Sequence, residues 1–178
     1  MADHSLNALQ SACRAMEEVV MPAIDAAHPL AREQAGLVLK FLQLFGQRIE
    51  DLHAKNRFDL NCALQIAQGL HAHLGVSAAI AADLKKALDR AQQLLGDPAA
   101  HTAELKSAAT ELDLVVTALL RTLSELDPEG FAQAQQVVLN HSLNRIQLQR
   151  AWFLPQGWEP SPDSIPKLDQ LLTRKAQS

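Results

Sequence analysis

The chain has 178 residues, 48% of them hydrophobic and 20% charged, with a net charge of −4 and two cysteines. This composition belongs to a globular domain that can bury its own core, and it excludes disordered and strongly polyelectrolyte chains. It also argues against nucleic acid as a ligand: no basic stripe is present to neutralise phosphates, and five Phe, two Trp and no Tyr leave few platforms for stacking bases.

Apolar residues recur at three- and four-residue steps almost everywhere before residue 153, and alternating strand-like runs are missing, so the prediction is all-α. A first helix over about 5–27 places Leu6, Leu9, Cys13, Met16, Val20 and Ile24 on one face. Pro22, which has no backbone donor, is expected to kink this helix or end it early. Pro29 opens a second helix, predicted to run to about 55, in which Val38, Leu42, Phe45, Ile49 and Leu52 form a tight bundle seam. Asn56 and Asp59 supply stop and start signals for a third helix that reaches about 74. Gly75 and Ser77 then break the chain before a fourth helix carrying Ile80, Leu84, Leu88, Ala91 and Leu95.

Gly96, Asp97 and Pro98 read as terminator, cap and first residue, so the fifth helix is expected from Pro98 to about 126. Leu112, Val116, Leu119, Leu123 and Leu126 make its seam. Asp127 and Pro128 repeat the device ahead of a sixth helix over 128–153, with Phe131, Ala134, Val138, Leu139, Leu143 and Ile146. Pro155, Gly157, Pro160, Pro162 and Pro166 then forbid regular helix, and Leu168, Leu171 and Leu172 share a face of a short last one.

The expected architecture is an up-and-down bundle of about six long helices over 1–153. A Pro-rich extension over 154–178, ending in that short helix, packs on it as part of the same domain. Trp152 and Phe153 continue the apolar content of helix six. Trp158, isolated among prolines, reads as an anchor that pins the extension to its own subunit or to a neighbour.

From Leu60 through Ala82 there is no Asp, Glu, Lys or Arg. A surface helix carries charges on its outer face, so this segment is expected to be covered on most sides, as a central helix or at a subunit interface. Cys13 and Cys62 have no partner at metal or redox spacing and read as free thiols in a reducing compartment. The first ten residues lack a cationic start followed by an apolar run, and no apolar stretch is long enough to span a bilayer. The expected location is cytoplasmic, with no membrane span.

Catalytic signatures are scarce. Glu50 and His53 have the Glu-x-x-His spacing of carboxylate-bridged metal bundles, but a second copy of the motif is absent. His71 and His73, two apart on a helix, point in nearly opposite directions and cannot chelate one ion. His71 with Gly75 has the spacing of a phosphotransfer histidine, yet Leu74 stands where such domains usually carry Lys. No nucleophile elbow or phosphate-cradling loop is present.

The stretch EEVVMPAIDAAHPLAREQAGLVLKFLQLFGQRIE has a first helix closing in Val-x-x-Pro and a long second helix with Arg48 near its end. Over this fifth of the chain it resembles small all-α bacterial proteins of unknown function encoded beside acyl-CoA dehydrogenase-like and aminoglycoside-phosphotransferase-like enzymes. The resemblance implies an accessory role near acyl-CoA or lipid metabolism and an enzyme as partner.

The predicted protein is a non-catalytic binding or accessory homodimer without a cofactor. One alternative is a binder of an apolar or acyl molecule, with Phe41, Phe45, Ile66, Leu70, Trp152 and Trp158 around the ligand. The other is a metal-binding bundle enzyme using Glu50 and His53.

Overall fold

A computed structural model describes residues 4–73 and 78–173, and the side chains of all of these except 72, 73 and 78–80. The breaks expected at Gly75 and Ser77, and the side chains of His73, Leu74 and Ile80, lie outside the described residues. Every regular element described is helical. In order these are α1 (His4–Ala15), a π turn (Met16–Val20), α2 (Met21–Ala23), α3 (Pro29–Arg48), α4 (Leu52–His73), α5 (Ala78–Gly96), α6 (Thr102–Leu126), α7 (Pro128–Phe153), 3-10 turns at Leu154–Gln156 and Pro162–Ser164, and α8 (Leu168–Thr173). Over the described residues the chain is all-α, with six long helices and a short last one, as its periodicity predicts. None of the described helices is long and apolar enough to cross a membrane.

Contacts divide the chain into two compact units. The first is Met1–Asp51 with Trp152–Ser164, and the second is Leu52–Ala151 with Ile165–Ser178.

In the first unit α1 packs on α3. Leu6, Leu9, Cys13 and Met16 are half-buried, as their spacing predicts, but Val20 is open and Met21 is half-buried in its place. The π turn explains the exchange: its wider winding carries Val20 past the packed face, and the Met21 N–H bonds to the Met16 carbonyl. Pro22 cannot donate to the preceding turn, and the helix ends at Ala23, with Ile24 extended, rather than at 27.

The second helix is shorter than its periodicity suggests, ending at Arg48 and not near 55. A turn over 49–51, closed by the Asp51 N–H on the Arg48 carbonyl, separates it from α4. The expected stop and start signals serve α4 from within instead. Asn56 donates to the Leu52 carbonyl one turn back, at 2.7 Å, and Asp59 pairs with Lys55 at 2.6 Å.

In the second unit α4 packs on both α5 and α6, which also pack on each other. From Leu52 to Leu70 only Gln68 is exposed, so the described part of the charge-free segment is a central bundle helix. Its Leu60, Ala63, Leu64, Ile66, Ala67 and Leu70 join Leu84, Leu88, Leu105, Leu112 and Leu119 in one core. Gly69 admits α7: a Cβ there would come within 2.8 Å of Val137 Cγ1 and 3.4 Å of His141 Nε2. Ile165 and Leu171 are buried in this unit, and α8 touches α4.

The seam on α6 closes at Leu112, Val116 and Leu119 but runs out at Leu126, which is open. α6 begins at Thr102 and not at Pro98, because the Asp97 carboxylate is spent on its own loop, accepting the Ala99 N–H at 2.8 Å. Glu104 then accepts the His101 N–H at 3.0 Å, which marks the actual helix start. The second such device works as expected: Asp127 accepts the Gly130 N–H at 3.0 Å with Pro128 in the first turn.

Candidate functional site

α3 is apolar nearly all round between Leu37 and Phe45. Leu39 and Leu44 are buried, and a Cβ on Gly46 would lie 3.5 Å from Leu9 on the α1 side. The seam expected at Val38 and Phe45 is not closed, because both residues are about half exposed, together with Leu30, Leu37 and Phe41. Two apolar faces on one helix exceed what α1 can cover.

The tail supplies the rest of this open face. Arg48 lies 5.8 Å from the Trp152 ring centroid, and its Nε donates to the Trp152 carbonyl at 3.1 Å. This anchors the buried Trp152 at the end of α3. The chain then makes the 3-10 turn, with the Gln156 amide donating to the Lys40 carbonyl at 3.2 Å. It reverses at Gly157, whose φ of 73° is in the left-handed region. That reversal lays Trp158 edge-on to Phe41, with ring centroids 6.2 Å apart, and stacks it on Phe153 at 6.4 Å. Trp158 nevertheless stays 61% exposed. The four open rings of Phe41, Phe45, Phe153 and Trp158 leave on the order of 400 Å² of apolar surface, within the range of functional patches.

The structure therefore brings Phe41 and Trp158 together, with Phe45 one turn along α3. Ile66 and Leu70 are elsewhere, in the core of the second unit. Phe153, read from sequence only as helix content, is a member of the open cluster. Its signal was its place immediately before the proline-broken tail.

A second feature of the first unit is an open groove of about 610 Å³ between α1 and α3. Leu6, Leu9, Cys13 and Leu42 line it, with Arg14 and Glu17 among its polar residues.

Glu50 lies in the turn after α3 and His53 in the first turn of α4, so the two do not share one helical register. His53 Nδ1 is 3.1 Å from the Thr102 hydroxyl. Among the described residues no group of three or more His, Cys, Asp or Glu gathers around a common point.

The described residues of the second unit include a polar cluster around Asp59. Arg145 donates two hydrogen bonds to Asp113, both 2.9 Å, and the buried Asp59 keeps Lys55 on one oxygen, while no described group bonds to the other. Cys62 sits one turn from Asp59. Its thiol is pushed up to about 12, first by burial and then by the Asp59 charge, with Arg145 opposing. A protonated buried thiol is a poor nucleophile. In native protein, Cys62 should resist a thiol reagent that labels both cysteines after unfolding. The folded state also retains this proton when the unfolded thiol has lost it, so stability should fall as pH climbs from about 9 toward 12. Urea titrations of wild type and Cys62→Ala at several alkaline pH values would show the steeper loss in wild type.

No family model matches the chain, and neither does any characterised protein or solved structure.

Proposed function

We propose that the protein is a non-catalytic accessory protein that docks an enzyme partner on the aromatic face of its first unit. The observation that carries this reading is the Phe41–Trp158–Phe153 cluster, which is ordered by Arg48, Gln156 and Gly157 yet left open. Open, pre-positioned Trp and Phe side chains are the usual anchors of protein interfaces, because they bury large areas at little cost in side-chain freedom. The resemblance of residues 17–50 directs the choice of partner to an acyl-CoA dehydrogenase-like enzyme from the same genome.

Purified protein titrated onto that immobilised enzyme should bind, and Trp158→Ala should weaken binding at least tenfold. Unchanged affinity in the variant, or no binding by wild type, would overturn the reading.

A second reading, a binder of an acyl chain, draws on the α1–α3 groove, whose volume is in the range of small-molecule sites. Leu9→Trp would fill the groove and abolish retention of a fluorescent fatty acid, which the aromatic-face variants would leave intact.

A further inference from the structure

The second unit carries an open apolar stripe of a different kind. On α7, Leu139, Leu143 and Ile146 follow at steps of four and three, and they are 64%, 62% and 52% exposed. The opposite side of the helix, with Ala134, Val137 and Val138, packs on the core of the unit.

The surroundings of the stripe are unusual for this chain. From Phe131 through Asn144 there is no Asp, Glu, Lys or Arg, although one residue in five of the whole chain is charged. The exposed residues beside the leucines are amides: Gln133, Gln135, Gln136, Asn140 and Asn144. Gln136 and Asn140 already bond to each other at 2.9 Å. Arg145, the first charge after the run, is held on Asp113 by two hydrogen bonds.

We propose that this face pairs with the same face of a second copy of the chain, α7 against α7, antiparallel about a two-fold axis. A two-fold interface must be complementary to itself. An apolar stripe meets that condition, and so does an amide rim, because each amide offers both donor and acceptor. A charged rim of one sign would not, since the axis would bring like charges together. In a chain with a net charge of −4, this neutral strip lets two copies approach without setting like charges against each other. Between Phe131 and Asn144 it lacks the cations that an anionic lipid surface would require.

With the axis crossing the stripe midway between Leu139 and Leu143, Leu139 of one copy meets Leu143 of the other, and Gln136 meets Ile146. Arg150 faces the Ala132 end, away from its own counterpart. The contacting strip from Ala132 to Arg150 is about 27 Å long. It buries less than the roughly 800 Å² per partner of a standard interface, so the dimer forms reversibly with concentration.

Sedimentation of the full chain over a hundredfold concentration range tests the pairing. The average mass should rise from one chain, 19.4 kDa, toward twice that. Leu143→Glu places a carboxylate against apolar surface in both copies and should weaken association by about a hundredfold. Leu139→Lys should do the same. Because residue 139 meets residue 143 across the axis, an equimolar mixture of the two variants should recover dimer that neither forms alone. Circular dichroism matching wild type establishes that both variants fold; if either does not, Leu143→Gln and Leu139→Gln test the same contacts with at least tenfold weakening. A wild-type chain that stays monomeric throughout would overturn the proposal. So would a dimer indifferent to Leu143→Glu, or one dissociated by Phe41→Ala instead.

Discussion

Leu70→Ala should lower the unfolding free energy by about 3–4 kcal/mol in urea titrations followed by far-UV circular dichroism. Leu70 is fully buried in the α4–α5–α6 core, beside Gly69, whose missing side chain lets α7 approach. Truncation removes transfer free energy and also leaves a cavity, because helices held closely at Gly69 cannot collapse inward without driving Val137 into the backbone. The alternative reading of Leu70 as the wall of a ligand pocket makes the opposite forecast. A wall residue facing open space leaves no new cavity, and its loss would cost under 1 kcal/mol while abolishing ligand retention.

Removing everything after Leu154 should cost more than any single tail substitution, roughly 3–6 kcal/mol, and yield a chain prone to aggregate. The loss comes chiefly from Ile165 and Leu171, which are buried in the second unit, and only secondarily from Trp158, which is largely open. Single variants separate the two parts of the tail. Leu171→Ala should lose about 2–4 kcal/mol, whereas Trp158→Ala should lose less than about 1.5 kcal/mol, the worth of its aromatic contacts. A truncated chain as stable as wild type would remove the tail from the fold.

The sequence made much of this legible because helix existence follows from apolar periodicity, a local property. The charge-free run predicts a covered α4, and Asp127 with Pro128 marks the start of α7 to the residue. The misplaced boundaries share a cause. Asn56, Asp59 and Asp97 all have capping chemistry, but each spends its side chain locally, on Leu52, Lys55 or Ala99. Spacing alone cannot say which use wins.

The open faces were harder to read for a related reason. Val38 and Phe45 on α3 stand seven apart, like Leu112 and Leu119 on α6, yet only the second pair is covered. Periodicity reports that a face is apolar and not what lies against it. For the same reason, Phe41, Phe45, Ile66 and Leu70 looked alike in sequence, although two of them are open and two are core.

The proposed docking of a partner on the aromatic face has a direct spectroscopic test. The chain contains two tryptophans, Trp152 buried and Trp158 open, so labelling with fluorotryptophan gives two fluorine resonances that Trp158→Phe assigns. On titration with the acyl-CoA dehydrogenase-like enzyme, the Trp158 resonance should shift and lose its sensitivity to solvent, while that of Trp152 stays in place. A Trp158 signal unchanged at saturating enzyme would contradict docking at this face.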